Sequence, residues 1–204
     1  MRKLFIWPAV LLLIGAAAFW WLTMPQPLPA SATAGLTGDA ARGERIFWAG
    51  GCAACHADAK AEGAAKLVLG GGQEFPSPFG TFVAPNISPD PKNGIGGWTV
   101  ADLANAMLRG VSPDGRHYYP VFPYASFANA ELQDVADLHA FLQTLPPVAT
   151  PSQPHKVGFP FNIRRGLGLW KRLYLGRGWV VAGDLTAEQM RGRYLVEGLG
   201  HCGE

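Results

Sequence analysis

The sequence is poor in charge, and it lacks the motifs that define several common enzyme classes. Only 16% of its 204 residues are charged, and the formal net charge of +2 gives no reason to expect a nucleic-acid partner. The chain contains no P-loop, no dinucleotide-binding glycine motif and no recognisable Ser-His-Asp set. With 26 Gly and 17 Pro, the composition favours a compact, loop-rich fold over a disordered chain.

Only three cysteines occur, and two of them belong to one short motif, Cys52-Ala-Ala-Cys55-His56. A Cys-x-x-Cys pair can form a redox dithiol or half of a zinc site. However, the chain has no second such pair and no His-x-x-x-His to complete a zinc tetrahedron. A histidine directly after the second cysteine is the signature of covalent haem attachment. Each thiol would add to one haem vinyl group, and the imidazole of His56 would take the fifth position of the iron.

An apolar run from Leu4 to Met24 follows two basic residues at the start of the chain. As a helix it would span roughly 30 Å, the thickness of a bilayer core. We predict that residues 1–24 form an uncleaved anchor in a bacterial inner membrane. The positive N-terminal end would stay in the cytoplasm and the remainder would lie on the periplasmic side. The alternative is a cleaved signal peptide with a processing site at Ala30-Ser-Ala32.

Three segments with helix-capping signals follow a Pro- and Ala-rich tether at residues 25–35. Their apolar residues recur at helical spacing, whereas residues 57–97 show little helical period and predict a loop region. The predicted helices begin near an N-cap or capping-box residue and end at glycine or before proline. They run from Thr37 to Gly50, from Thr99 to Gly110 and from about Asn129 to Thr144.

The order of these elements resembles a class I cytochrome c domain over residues 36–148. Three motifs look more narrowly like the multihaem cytochrome c subunits of membrane-bound bacterial dehydrogenases. They are Pro85-Asn86-Ile-Ser-Pro-Asp90, Gly94-Ile-Gly-Gly-Trp98 and Tyr119-Pro-Val-Phe-Pro-Tyr124.

This resemblance implies an all-α fold in which the first and third helices cross, with haem held in the loops between them. It implies cofactor contacts from Asn86, Trp98 and Tyr119. It also implies electron transfer with redox partner proteins, which would be a dehydrogenase, a quinone-linked complex or a terminal oxidase.

Part of the predicted domain recurs near the C-terminus. Leu36-Thr-Gly-Asp-Ala-Ala-Arg-Gly43 matches Leu185-Thr-Ala-Glu-Gln-Met-Arg-Gly192, and a Gly and a Cys follow each copy at similar spacing. We predict that residues 184–204 begin a second cytochrome c domain with Cys202 as a haem-attachment cysteine. The chain would then be a dihaem protein truncated at its C-terminal end. The alternative is a chance repeat with a free cysteine.

The connector at residues 149–183 contains an amphipathic segment from Ile163 to Tyr174. Five basic residues lie between Arg164 and Arg177. The segment is expected either to pack between the two domains as a helix, or to contact a membrane surface or an acidic partner.

No motif defines the sixth position of the iron, because the loop has Phe122-Pro123 where the related subunits often have Met-Pro. We predict His117 as this ligand, since it lies in the loop between the second and third helices. An open or water-filled site and Met107 are the alternatives. His139 and His155 are expected to have packing or interdomain roles.

Three functions are compatible with this sequence. An electron carrier is the leading hypothesis, because two strong iron ligands leave no room for a substrate. A five-coordinate haem would instead support an enzyme that reduces peroxide or oxidises a small sulfur compound. The third hypothesis is a sensor or assembly subunit in which haem only stabilises the fold.

Overall fold

The computed structural model describes residues 2–176 and 178–202, with side chains described from Ile6 onward. Within these residues the protein is mainly helical, with one short antiparallel sheet. The helices are α1 (Arg2–Leu22), α2 (Ala40–Ala49), α3 (Cys52–His56), α4 (Val100–Arg109), α5 (Tyr124–Phe127), α6 (Leu132–Leu142), α7 (Leu167–Tyr174) and α8 (Ala187–Arg193). The strands are β1 (Glu74–Ser77) and β2 (Gly80–Val83), and a π-helical turn, Tyr194–Leu199, follows α8.

Helix α1 carries most of the apolar N-terminal segment. Many of its side chains are exposed, including those of Trp7, Leu12 and Trp20. Across residues 2–176 and 178–202, no helix combines the length and apolarity that crossing a membrane requires. The structure therefore does not support the predicted transmembrane helix of Leu4 to Met24, and Met1 lies outside the described residues.

Helices α2 and α6 cross at two close backbone approaches. A Cβ on Gly43 would overlap the Asp137 carbonyl oxygen, and one on Gly38 would overlap the carbonyl oxygen of Ala136. Only glycine allows two backbones to come this close. The crossing of the first and third helices that the family resemblance implied is therefore confirmed.

A buried carboxylate joins the same two helices. Asp137 on α6 is fully buried and accepts hydrogen bonds from Arg42 Nε at 2.6 Å, from Arg42 Nη2 at 2.9 Å and from the Asp39 backbone N–H at 2.8 Å. The hydrogen bond from Arg42 lowers the pKa of Asp137. This ionised carboxylate stabilises the fold above its unfolded pKa of about 4, and the stabilisation is lost as the pH falls below it.

The predicted N-cap of the first helix is wrong, whereas the capping of the second is confirmed. Helix α2 begins after Asp39, whose Oδ1 accepts from the Arg42 backbone N–H at 2.9 Å. Asp39, which directly precedes the first residue of α2, is therefore the N-cap instead of the predicted Thr37. Helix α4 has the expected capping box at Thr99, and Gly110 ends it in the left-handed conformation with φ 57°.

The loop prediction for residues 57–97 missed the β1–β2 hairpin. The strands pair from Glu74 with Val83 to Ser77 with Gly80. Thr81 then forms a further bridge with Lys156 of the connector. Pro76 argues against a strand in the sequence, because proline cannot donate a ladder hydrogen bond. The bridge to Lys156 could not be predicted either, because Lys156 is far along the chain.

The second copy of the repeat packs onto the first domain. Helix α8 starts with a capping box in which Thr186 accepts from the Gln189 backbone N–H. In the π-helical turn that follows, Tyr194 and Leu199 are buried in the core of the first domain. Tyr194 also donates a hydrogen bond to Asp134 of α6 at 2.5 Å. Gly203 and Glu204, which the truncation prediction concerned, lie outside the described residues.

The repeat supplies a matched test of the α2–α6 crossing. Gly43→Ala should lower the free energy of unfolding by about 2–3 kcal/mol, because the methyl group forces the helices apart. Gly192→Ala is the control: its Cβ would meet nothing within 4 Å, so it should stabilise by about 0.5–1 kcal/mol. Urea unfolding of both variants measures the difference. Equal stability of the two would contradict the proposed contact.

Candidate functional site

The motif Cys52-Ala-Ala-Cys55-His56 forms helix α3, which follows directly on α2. The left-handed Gly51, with φ 64°, turns the chain from one helix into the next. Cys52 and Cys55 lie one helical turn apart, and neither is in a disulfide. His56 closes the helix, so one turn brings together the three groups that haem attachment requires.

The ring of His56 is held by a backbone carbonyl. Its Nδ1 lies 2.8 Å from the Pro85 carbonyl oxygen. Since that oxygen can only accept, Nδ1 carries the proton and Nε2 keeps its lone pair. Burial lowers the pKa of His56, which keeps the ring neutral at pH 7. A neutral imidazole with an available Nε2 is the form that binds iron.

Asn86 fixes the loop that presents this carbonyl. Its buried Nδ2 donates to the carbonyl oxygens of Val148 at 2.7 Å and Thr150 at 2.8 Å. Its Oδ1 accepts from the Ser88 backbone N–H at 2.9 Å. The residue after Pro85 is therefore tied to the segment that follows α6. Asn86 acts on His56 through the backbone, and its predicted direct contact with haem stays a prediction.

Gln73 is a second support for α3, and the sequence analysis missed it. Its Nε2 donates to the carbonyl oxygens of Ala54 at 3.0 Å and Ala57 at 2.6 Å. These bonds satisfy carbonyl groups at the end of the helix, which otherwise lack partners. No sequence signal could have identified Gln73, because it follows a glycine-rich loop and belongs to no motif.

These residues fit a covalently attached haem. The donor set is two unpaired thiols and one oriented imidazole nitrogen, which is what thioether attachment and iron ligation need. Burial raises the pKa of Cys52 to about 12 and raises that of Cys55, so both groups are thiols in the bare polypeptide. Among the described residues, no group of three or more His, Cys, Asp or Glu side chains converges on a metal site.

Two other residues with predicted haem contacts, Tyr119 and Trp98, have hydrogen-bond partners within the protein. Tyr119 is buried beside Phe82, and its hydroxyl donates to the Phe161 carbonyl oxygen at 3.1 Å. Trp98 packs partly buried against the hydrophobic core, and its carbonyl oxygen accepts from His139 Nε2 at 2.8 Å. His139 therefore has the packing role that the sequence predicted. Haem contacts of Tyr119 and Trp98 remain predictions.

His117, in the loop after α4, lies against the C-terminal end of α1. It is almost fully buried, and its Nε2 is 2.8 Å from the Thr23 carbonyl oxygen. Burial, followed by the positive charges of Lys171 and Arg165, lowers the pKa of His117. No described contact joins it to residues 52–56. The structure gives the predicted iron bond no support, and that assignment stays a prediction.

The loop position where related subunits often have methionine is filled by an aromatic cluster. The ring of Phe122 packs against those of Tyr118, Tyr124 and Phe127, with centroids 5.8–6.4 Å apart. Met107, the alternative thioether ligand, is buried in the core formed by α2, α4 and α6. Phe122 supplies no donor atom, so the sixth ligand must come from elsewhere or the position is open.

The last described residues of the second copy lie near the N-terminal end of α3. His201 places its Nε2 3.8 Å from the position that a Cβ would take on Gly51, and its ring packs edge-on against Phe127 at 5.6 Å. His201 was not among the predicted site residues, although its place directly before Cys202 could have indicated it. Cys202 is exposed, and its thiol lies 3.6 Å from the Gly200 carbonyl oxygen. Its predicted haem attachment stays untested.

Comparison with known proteins agrees with this site. The family model described as Cytochrome c matches residues 40–146. Over its whole length the chain is 60% identical to a diheme cytochrome c-type protein of Cereibacter sphaeroides, 69% of which it covers. Across 88% of its length it is 36% identical to the fructose dehydrogenase cytochrome subunit of Gluconobacter japonicus, and it covers 36% of that protein. Across 80% of its length the chain is 36% identical to the cytochrome c subunit of alcohol dehydrogenase (quinone) of Gluconobacter oxydans, and it covers 34% of that protein.

The chain belongs to the cytochrome c family, whose members bind haem c covalently and transfer electrons. It spans about two thirds of the dihaem relative and about one third of the two dehydrogenase subunits. When bound, the haem would supply a one-electron couple of the iron. Cys52 and Cys55 would hold the ring through thioether bonds, and Nε2 of His56, which keeps its lone pair, would bind the iron.

Asn86→Ala should weaken the support of His56. Loss of the amide leaves two carbonyl oxygens unsatisfied and should lower the free energy of unfolding by about 2 kcal/mol or more. A looser Pro85 carbonyl makes His56 a weaker electron donor, so the reduction potential should rise. Asn93→Ala is the control, because Asn93 donates a single bond to the Ala149 carbonyl. Urea unfolding and a redox titration test both effects, and an unchanged potential in Asn86→Ala would contradict the positioning role.

Proposed function

We propose that this chain is a cytochrome that takes electrons from a membrane-bound dehydrogenase and passes them to a quinone-linked complex or a terminal oxidase. One observation carries the proposal: Nδ1 of His56 lies 2.8 Å from the Pro85 carbonyl oxygen, and His56 directly follows the Cys52-x-x-Cys55 pair, whose cysteines form no disulfide. The printed names of the relatives, which include a fructose dehydrogenase and an alcohol dehydrogenase (quinone), support a dehydrogenase as the electron donor.

The local structure suits electron transfer because it limits movement. His56 is restrained by its own hydrogen bond to the Pro85 carbonyl oxygen, and its helix α3 is restrained by two hydrogen bonds from Gln73. An iron ligand that stays in place in both redox states keeps the reorganisation on electron transfer small. The repeat at residues 184–202 supports the start of a second cytochrome c domain, which would bind a second haem, as the printed name of the dihaem relative indicates for that protein.

Covalent attachment can be tested with matched cysteine variants. Cys55→Ser should reduce the haem that remains with the polypeptide, because only one thioether can still form. Cys202→Ser is the control and should leave attachment at residues 52–56 intact, because Cys202 is exposed and makes only a weak contact with Gly200. A denaturing gel stained for haem peroxidase activity compares them. Haem that acid-acetone extracts from the wild type would contradict the assignment.

A second candidate function is a haem enzyme with an open iron position, which would reduce peroxide or oxidise a small sulfur compound. It is favoured by Phe122, which offers no donor atom, and by the bond of His117 to the Thr23 carbonyl. An electron carrier needs no open position, so binding of CO to the ferrous wild-type protein would favour the enzyme.

The predicted role of His117 is tested by the same spectra. We expect His117→Ala to leave the spin state of the haem unchanged, because the described contact of His117 is with Thr23 and not with the attachment motif. Visible and near-infrared spectra of the wild type and the variant measure this. A change to a high-spin, CO-reactive form would instead establish His117 as the sixth ligand.

We also propose that the N-terminal segment holds the protein at the periplasmic face of a bacterial inner membrane. Support comes from the apolar sequence of residues 4–24 and from exposed tryptophans, Trp20 and Trp21, near the end of α1. Tryptophan is enriched where a membrane meets water.

Fractionation tests this location. The full chain should stay in the membrane pellet after an alkaline carbonate wash and become soluble only in detergent. Protease added to spheroplasts should cleave the haem domain. A soluble mature protein that begins near Thr33 would show that a signal peptide is removed and would contradict the anchor.

A further inference from the structure

Helix α7 is amphipathic in the opposite sense to the usual surface helix of a globular domain. Its buried residues are Gly168 and Lys171. Leu169 and Leu173, one helical turn apart, are 39% and 63% exposed, and we call these two the leucine face. A surface helix normally buries its leucines and leaves its lysines in water. The exposed side of α7 is therefore apolar where a water-facing helix would be polar.

Polar contacts and close packing fix α7 in this orientation. Lys171 Nζ donates to the carbonyl oxygens of Arg109 at 2.7 Å and Gly110 at 2.5 Å. On the same side of the helix, a Cβ on Gly168 would lie 2.6 Å from the Cα of Thr23. A rotation that buried the leucine face would lose both lysine bonds and bring larger side chains against Thr23. The leucine face therefore stays on the outside of the domain.

The exposed apolar surface continues into the segment before α7. Phe159 is 81% exposed, and Phe161 and Ile163 are each about half exposed. Large apolar side chains are thus exposed at short intervals through residues 159–173. Single exposed apolar residues are common on proteins, whereas a run of them marks a site where another protein or a membrane binds.

The charge of this region favours a negatively charged partner. No Asp or Glu occurs between residues 138 and 183, whereas basic residues recur there. They are Lys156, Arg164, Arg165, Lys171, Arg172 and Arg177. Basic residues interleaved with Leu, Phe and Trp are typical of helices that lie in the surface of an anionic bilayer, where phosphates and acyl chains are both within reach.

The arginines also place α7 at the level where such a surface would be. Arg165 donates to the Trp20 carbonyl oxygen at 2.8 Å, and its guanidinium lies 4.0 Å from the centre of the Trp20 ring. Arg172 donates to the Leu22 carbonyl oxygen at 2.6 Å. These residues form the C-terminal end of the apolar helix α1, where Trp20 and Trp21 are exposed. In a membrane-anchored chain this end lies at the boundary between lipid and water.

We propose that residues 159–174 form a lipid-binding surface that rests on an anionic phospholipid bilayer. The leucine face of α7 enters the upper part of the acyl chains, and the basic residues of the segment lie at the level of the phosphates. The haem domain is then held against the bilayer by α7 as well as by α1. This inference rests on the membrane location proposed above.

Photo-crosslinking tests the surface on the full haem-loaded chain in liposomes. The probe is phosphatidylglycerol with a diazirine in the upper part of an acyl chain, and tandem mass spectrometry locates the adducts. We expect adducts on α7 and on α1. Val68 is the control and should carry none, because it is exposed but lies outside both segments. Adducts on α1 alone would overturn the inference, because water, a second copy of this chain or a protein partner would then cover the leucine face.

The same diazirine on phosphatidylcholine tests the choice of an anionic lipid. We expect about fivefold fewer adducts on α7, the effect of one basic group at an anionic surface. Adducts on α1 should not change. Equal labelling of α7 by the two lipids would overturn the assigned preference for an anionic bilayer.

A double variant with Leu169→Gln and Leu173→Gln tests the leucine face itself. It should reduce the adducts on α7 to the level of Val68, whereas the control Val68→Gln should leave them unchanged. Unchanged labelling of α7 in the double variant would contradict insertion of the leucine face. The haem spectrum reports folding, and if the double variant does not fold, the map of adducts on the wild type still decides.

Failure of this inference is distinguishable from failure of the proposed function. A chain that resists the carbonate wash and is labelled on α1 but not on α7 overturns the lipid-binding surface alone. A chain that is labelled on α7 but leaves the membrane in carbonate overturns the anchor alone. Neither measurement depends on electron transfer, so the proposed electron donor and acceptor are tested separately.

Discussion

The hydrogen bond between Nδ1 of His56 and the Pro85 carbonyl oxygen is the contact on which the site depends. It sets the tautomer of the ring and so leaves Nε2 with the lone pair that an iron ligand would need. The carbonyl itself is held because Asn86, the next residue, bonds to Val148 and Thr150 beyond α6. The segment after α6 thereby contributes to the geometry of an imidazole far earlier in the chain.

The parts of this arrangement that sequence could predict are local. Covalent chemistry fixes the spacing of Cys52, Cys55 and His56, and the termini of α4 follow from Thr99 and Gly110 because caps depend on neighbouring residues. The hydrogen-bond partners of Asn86, Gln73 and His117 could not be predicted, because those partners are distant in the chain. A polar residue in a loop gives no sign of which carbonyl it will meet, and the same is true of the Tyr119 hydroxyl, which donates to the Phe161 carbonyl oxygen of the connector.

The two copies of the repeat differ in their helix caps. In the second copy Thr186 caps α8, whereas in the first copy Asp39, not the matching Thr37, caps α2. Gln189 completes a capping box with Thr186, but the residue three positions after Thr37 is Ala40, which cannot do so. The Asp39 backbone N–H is bound instead by Asp137 of α6. Likewise Gly43 lies against the α6 backbone while Gly192 meets nothing within 4 Å. The same residue type is essential to packing in one copy and free of contacts in the other.

Basic side chains of the connector, in and next to α7, form hydrogen bonds both to the N-terminal helix α1 and to the end of α4. The ends of α1 and α4 both have carbonyl groups without helical partners. Arg165 and Arg172 donate to those of Trp20 and Leu22, and Lys171 donates to that of Gly110. Cations at helix C-terminal ends are also favoured by the helix dipole. Because α7 and the turn just before it, which contains Arg165, supply both sets of donors, a tilt of α1 against α4 would break these hydrogen bonds. In the proposed membrane location, this coupling would keep the haem at a fixed height above the lipid, so its distance to a membrane-bound donor would not depend on a flexible tether.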